Sequence, residues 1–308
     1  ERMGASPEII TLTMAAFSLG QFVAAPYWGR LSDSIGRKPV LILTLLGSTL
    51  SYVILAYAPN LTVVILSRVF TGLMAGNVSI AFAYVADITD DNNRSAGLGK
   101  VSAALGLGFM TGPAIGGLLA GNNVENANYL LTALAAAGIN FLAMLAAIVF
   151  LKESLDVKKR KPFEGFSKII TLATFSPAKS ILPLVFCGLI FYTAMSMMES
   201  IFPLWANKIF SYGPSHIGGV FFMLGSLGVI IQGGLIGRLT NLLGEKKLIQ
   251  LAALSLMAGL ILIGSATFTF SLWIGLFFFG CGSAIFNPSL SSLISKSADP
   301  TSRGQYLG

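Results

Sequence analysis

Charge is what this chain has least of. Its 308 residues include 20 Lys and Arg, 13 Asp and Glu and one His, and charged residues make up 11% of the whole. Soluble domains carry about 25%, so a water-exposed globular fold is excluded. Cysteine is nearly as scarce: Cys187 and Cys281 both lie inside apolar runs, which leaves neither a disulfide framework nor a zinc site. The chain also lacks a phosphate-binding loop with its lysine, metal-spaced His and Cys, and a nucleophile set beside a base. No enzyme activity, cofactor or metal is expected.

What fills the chain is apolar. Hydrophobic residues reach 54% and the mean hydropathy +0.77, gathered into runs that each approach the ~20 residues needed to cross a bilayer as a helix. Nine runs cover about 8–30, 39–58, 62–87, 96–120, 127–151, 180–204, 214–236, 247–268 and 269–295, numbered here spans two to ten. The fold expected is an all-α polytopic membrane protein. Its basic residues alternate. The loops after spans two, four, six, eight and ten hold seventeen of the twenty, among them Arg30, Arg37, Lys38, Arg94, Lys100, Arg238, Lys246, Lys247, Lys296 and Arg303; the opposite loops hold Arg2 and Lys208. That asymmetry puts the five basic loops in the cytoplasm and accounts for the net charge of +7 without a nucleic-acid partner.

The connector from Lys152 to Lys179, with Lys158-Lys159-Arg160-Lys161, separates an N-terminal bundle (1–151) from a C-terminal one (180–308). Its basic run reads as a solvated tether with affinity for anionic lipid, and 166–175 could form a surface-lying amphipathic helix. An internal repeat supports the division. The stretch Gly29-Arg30-Leu31-Ser32-Asp33-Ser34-Ile35-Gly36-Arg37-Lys38-Pro39 returns 208 positions later as Gly237-Arg238-Leu239-Thr240-Asn241-Leu242-Leu243-Gly244-Glu245-Lys246-Lys247. Asp90 and Arg94 return as Asp299 and Arg303 at an offset of 209. Two matches at nearly one offset indicate two related halves, the parallel-repeat plan of many transporters.

The first copy is a charged, glycine-punctuated turn in which glycines let the chain reverse and Arg30, Arg37 and Lys38 hold it at the cytoplasm. Asp33 needs its own explanation: it is a partner for Arg37 or for the positive N-terminus of a neighbouring helix. The order Gly29, Arg30, Leu31, Asp33, Gly36, Arg37, Lys38 strongly resembles the loop between spans two and three of the major facilitator superfamily. Two more motifs carry the resemblance. Leu66-Ser67-Arg68-Val69-Phe70-Thr71-Gly72 resembles the second family motif, whose arginine is implicated in proton transfer. Gly108, Gly112, Pro113, Gly116 and Gly117 in span five resemble the motif typical of the family's proton-driven antiporters, where it implies a bend that limits leak.

On their own terms these residues stay open. Arg68 is a charge deep in a span, which costs ~2.5–3.5 kcal/mol near a helix centre and should avoid lipid. Helical spacing sets it with Gly72, Gly76, Ser79, Ala83 and Ala86 on one face and puts Asn77 and Tyr84 on the other; it either bonds neighbouring carbonyls or takes part in coupling. The span-five glycines make a groove for close helix approach, with Pro113 as a kink. In span seven, Gly188, Tyr192, Met195, Ser196, Glu199 and Pro203 share a face. A carboxyl there could take up and release a proton if shielded from water, or Glu199 snorkels to the outer interface a turn away. Gln232, beneath Gly218, Phe221, Gly225 and Gly228, and Asn287, with Gly280, Ser283 and Ser291, are interhelical hydrogen bonders or ligand contacts. His216 reads as interfacial, and the sequon Asn60-Leu61-Thr62 as incidental against a membrane end.

The resemblance implies two pseudo-symmetric helical bundles working by alternating access around a cavity lined by spans one, four, seven and ten. An outgoing amphipathic compound would exchange for incoming protons across a bacterial inner membrane, the protein acting as a monomer in lipid. The first half is similar to the tetracycline-exporter branch, yet residues 40–58 and 247–268 contain no acid where that branch carries buried ones. Span one and most of spans eleven and twelve are expected outside these residues. The resemblance also implies that Asp33 faces span eleven and that Arg37 pairs with Asp87 at the end of span four, a latch for the outward-open state. Asn241 carries no charge in the repeat copy, so the latch is expected on one side only. A sugar or organic-ion symporter or uniporter shares this fold, and so would a transporter-like sensor without flux.

Overall fold

A computed structural model describes residues 6–90, 93–156, 160, 162 and 182–297, without the side chains of 94–96 and 295–297. The run 166–175 and Arg2, Lys158, Lys159, Lys161, Asp299 and Arg303 lie outside the described residues, as does most of the 152–179 connector. Each apolar run is a helix because lipid offers no water to a backbone N–H or C=O, which must be satisfied within its own segment. The order is α1 (Pro7–Ile35), α2 (Arg37–Ala56), α3 (Leu61–Met74), α4 (Asn77–Ile88), α5 (Arg94–Ala120), α6 (Tyr129–Phe150), α7 (Leu182–Phe210), α8 (Pro214–Ile230), one π-helical turn (Ile231–Leu235), α9 (Ile236–Gly264) and α10 (Thr269–Ser297).

Among the described residues, eight helical stretches are long and apolar enough to cross a membrane, one of them running 51 residues from Pro214 to Gly264. At ~1.5 Å per residue that stretch is about 76 Å long against a hydrocarbon core of about 30 Å, so it crosses twice. Gly244, at φ +74°, breaks it. All nine expected runs are therefore present, in an all-helical membrane fold.

The expected turn at Gly29 to Pro39 is shorter than its sequence suggests. α1 continues through Arg30 and Asp33 to Ile35, and Gly36 alone leaves the helix, at φ +114°, before α2 begins at Arg37. A positive φ is inexpensive only for glycine, so one residue redirects the chain and the charged residues sit on helix ends. Its repeat counterpart is Gly244, and Arg238, Lys246 and Lys100 are likewise helical. Span four is also not one helix: Ala75 and Gly76 separate α3 from α4, so the single face drawn from Arg68 to Ala86 is interrupted.

Two compact units divide the described residues, one within Glu1–Ser102 and Glu125–Phe175, the other within Ala103–Val124 and Ser176–Gly308. The sequence order counts span five with the first bundle; in the structure the packing of Ala103–Val124 on α8 sets that segment with the second unit.

In the first unit α1 crosses α3 backbone to backbone. A Cβ on Gly20 would stand 2.8 Å from the Val69 carbonyl oxygen, and one on Gly72 would run into the Phe17 carbonyl. Trp28 closes the break in span four. Its indole N–H donates to the Leu73 carbonyl at 2.5 Å, a group that an unbroken helix would have bonded to Asn77. The ring lies against Gly76 and joins Ala24, Val40 and Ile80 in a buried cluster. α2 meets α3 through buried hydroxyls: Ser51 Oγ lies 2.7 Å from the Ser67 carbonyl and 2.6 Å from Thr71 Oγ1. Small hydroxyl residues at a helix contact permit close approach and add interhelical bonds.

In the second unit α9 and α10 pack through Gly259, Gly275 and Gly282, each backed by the other helix's backbone. Phe202, Val220, Leu272, Leu276 and Phe279 form the main buried cluster, and Phe191 stacks on Phe286 at 4.6 Å. Large apolar residues cover the outside; Phe22 and Phe150 are each 79% exposed. In water such a surface would aggregate, and in a bilayer it is the solvated face.

Trp28→Phe keeps the ring and removes the donor to Leu73. It is expected to destabilise the protein by about 1–3 kcal/mol, the cost of a buried carbonyl left without its partner, read as a lowered melting temperature in detergent.

Candidate functional site

The charged helix ends of the first unit converge on Arg37. Its residue is 8% exposed, at the first turn of α2. Nη1 bonds Asp33 Oδ1 and Ser32 Oγ, each at 2.6 Å, and Nε bonds Asp87 Oδ2 at 2.9 Å. Asp33 and Ser32 lie on the last turns of α1 and Asp87 on the last turn of α4, so one guanidinium ties three helix ends. Of the two partners that the sequence offers Asp33, the described residues supply Arg37; span eleven is not among them. Lys38 Nζ donates to the Ile148 carbonyl at 2.8 Å, near the end of α6. Of the motif's two glycines, Gly36 makes the turn, whereas Gly29 is helical with open space where a Cβ would stand.

One member of this cluster escapes sequence reasoning. Glu153, just after α6, accepts from the backbone N–H of Arg37 at 2.8 Å and of Lys38 at 3.2 Å. The next residue, Ser154, donates to Asp87 Oδ2 at 3.2 Å. An acid inside a basic connector 116 positions from its partner carries no local signal.

Arg68 is half-buried in α3, and no hydrogen bond or ion pair reaches its guanidinium among the described residues. Asn77 opens α4 and Tyr84 lies two turns on, both half-buried. Asn60 is occupied as the N-cap of α3, accepting from the Val63 N–H at 3.0 Å.

In the second unit Tyr192 on α7 donates its hydroxyl to Asn287 Oδ1 on α10 at 3.1 Å, bringing two of the candidate residues together. The face of α7 turned to the core is Gly188, Phe191, Met198, Phe202 and Ala206. Tyr192 and Glu199 flank it and are exposed, seven residues apart on one side, about 10.5 Å along the axis. Gln232 is exposed on the π-helical turn, a feature that recurs at functional sites in helices. His216 stacks on Tyr212 at 5.1 Å and is exposed.

The span-five contact follows a different stripe from the row of its glycines. Gly117 is buried against the Pro214 carbonyl, a Cβ on Gly218 would lie 2.6 Å from the Pro113 carbonyl oxygen, and one on Gly225 would lie 2.6 Å from Met110 Cβ. Gly108 and Gly112 are exposed and face open space, and Gly116 is half-buried. The spacing reveals the groove but not where the partner helix enters it. Gly117→Ala is expected to destabilise by about 1–3 kcal/mol, because a backbone carbonyl cannot yield as a side chain would. Gly112→Ala should stay within about 0.5 kcal/mol; thermal unfolding of both variants in detergent compares them.

The family model described as Major Facilitator Superfamily matches residues 1–308. "Multidrug resistance protein 2" of Bacillus subtilis (strain 168) is 33% identical over 247 residues, covering 79% of this chain and 60% of that protein. "Tetracycline resistance protein, class C" of Escherichia coli is 29% identical over 299 residues, covering 96% of this chain and 73% of that protein. The crystal structure of "the human organic anion transporter MFSD10 (TETRAN)" superimposes with a TM-score of 0.68 at 29% identity, over 96% of this chain and 72% of that one. The chain thus spans less than two thirds of the Bacillus relative and about three quarters of the other two.

Proposed function

The chain belongs to the Major Facilitator Superfamily, and from that premise we propose that the protein exports amphipathic small molecules across a bacterial inner membrane in exchange for protons, by alternating access. The observation that carries the reading is the Arg37 cluster. Ion pairs joining the ends of α1, α2 and α4 form an element that can be made and broken, and a two-state cycle needs an element whose equilibrium ligands can bias. In this reading Asp33, Arg37 and Asp87, with Gly29, Gly36 and Lys38, are the latch. Arg68 and Glu199 are the candidate coupling charges; Asn77, Tyr84, Tyr192, Gln232 and Asn287 are cavity residues. Gly108, Gly112, Pro113, Gly116 and Gly117 are the antiporter motif. The direction of transport is supported by the names of the multidrug and tetracycline resistance relatives.

One observation favours a second reading. A half-buried Arg68 without a partner among the described residues suits an anionic substrate, and the human relative is described as an organic anion transporter. Probe charge separates the two: full-length protein in inverted vesicles is offered ethidium or a carboxylated fluorescein, with and without a proton gradient. Proton-driven accumulation of ethidium alone supports drug–proton exchange, and of the anion alone supports the second reading.

In the same vesicles Asp33→Asn is expected to lower turnover by at least about 20-fold while leaving substrate binding within about twofold, because the change acts on the transition between states and not on the ligand. Normal turnover would remove the latch. Glu199→Gln deletes an ionisable group and should abolish uphill, proton-driven flux; uphill flux at the parent rate would assign Glu199 to the interface.

A further inference from the structure

The first turn of α2 leaves two backbone donors to be satisfied from outside the helix. A helix leaves its first four N–H groups without intrahelical partners. Here Gly36 N–H bonds back to the Ser32 carbonyl at 3.2 Å, and Pro39 at the third helical position has none to offer. That leaves the N–H groups of Arg37 and Lys38, and the Glu153 carboxylate takes both, one on each oxygen. Glu153 Oε1 also accepts from the Leu155 N–H at 3.0 Å, which folds the connector back on itself. A Cβ on Gly36 would collide with this carboxylate, so the glycine serves the approach of the acid as well as the turn. A carboxylate at a helix N-terminus also meets the favourable end of the helix dipole.

The consequence falls on Arg37. Its backbone is fixed by Glu153 and its side chain by Asp33, Ser32 and Asp87, while Ser154 binds the same Asp87 oxygen that the guanidinium does. Three contacts, two on the Glu153 carboxylate and one from the Ser154 hydroxyl, therefore join the segment just after α6 to the ion-pair cluster. We propose that Glu153 is a positioning residue for the transport cycle: it caps α2, aims the Arg37 guanidinium at Asp33 and Asp87, and couples the start of the 152–179 connector to their making and breaking. The proposal rests on the alternating-access reading above. It concerns a residue outside the latch, coupling and cavity residues of that reading.

The test uses the full-length protein with Glu153→Ala, Glu153→Gln and Glu153→Asp. Amide hydrogen exchange at Arg37 and Lys38 reads the cap directly, in detergent and without any transport. Proton-driven ethidium flux in vesicles reads the cycle. Glu153→Ala should speed exchange at both amides by about tenfold and lower the maximal rate by about tenfold with KM within about twofold. Glu153→Gln, which keeps one acceptor oxygen, should protect one amide and fall between. Glu153→Asp, which keeps the charge, should recover more of the rate than Glu153→Gln. Unchanged exchange in Glu153→Ala overturns the cap, and faster exchange with an unchanged maximal rate overturns the positioning role. So does a loss confined to KM. Absence of proton-driven flux in the parent removes the exporter reading and the positioning role built on it, while amide exchange still upholds or overturns the cap.

Discussion

A guanidinium keeps its charge at any pH a cell offers, so burying Arg37 to 8% exposure obliges the surroundings to answer it. Two carboxylates and a hydroxyl do so, from α1 and α4. Because removing one partner of a buried pair leaves an uncompensated charge, the ends of these helices cannot separate piecemeal: they hold together or rearrange together. The rest of the first unit is consistent with that demand. α1 and α3 touch through Gly20 and Gly72 with no side chain between them, and α2 meets α3 through a hydroxyl seam, so rigid helices carry the cluster.

The bilayer imposes the second constraint, that every backbone polar group be satisfied within the protein. Where the helices obey it without help, the sequence was a sufficient guide: the apolar runs are long, the basic loops alternate, and the runs are the observed helices. Where the backbone departs from regularity, help comes from far along the chain. The break at Ala75 and Gly76 frees the Leu73 carbonyl, and the donor is Trp28, 45 positions earlier. The first turn of α2 exposes two N–H groups, and the acceptor is Glu153, 116 and 115 positions later. Neither Trp28 nor Glu153 stands out in a sequence, since an aromatic in an apolar run and an acid in a basic connector are ordinary.

The same reasoning explains why the span-five glycines were only half legible. A row of glycines at helical spacing states that a helix could be approached closely; it does not say by what. Pro214, Gly218 and Gly225 decide the matter: they engage Gly117, Pro113 and Met110, a stripe that leaves Gly108 and Gly112 open. In span seven helical spacing sets Tyr192 and Glu199 with Gly188 on one side, whereas Gly188 turns to the core with Phe191; spacing alone does not assign the side, because aromatic and methionine residues stand on both. The phenylalanine stack of Phe191 on Phe286 settles which face turns to the core and leaves Tyr192 at its edge, bonded to Asn287.

The internal repeat separates what the turn needs from what its charges do. Gly36 and Gly244 occupy equivalent positions, 208 residues apart, and both hold positive φ with ψ near 157° and 156°; that backbone state is the part that repeats. The residue after each glycine is Arg37 in one copy and Glu245 in the other. Each reaches the last turns of a helix that ends its own span: Arg37 bonds Asp87 on α4, and Glu245 Oε1 accepts from Ser292 on α10 at 3.2 Å. Asn241 in place of Asp33 is thus not the whole difference between the copies, because the second carries its acid four positions later, on the far side of the turn. Geometry fixed by one glycine leaves the adjoining charge free to change sign, and two halves built on the same turn need not share one electrostatic mechanism.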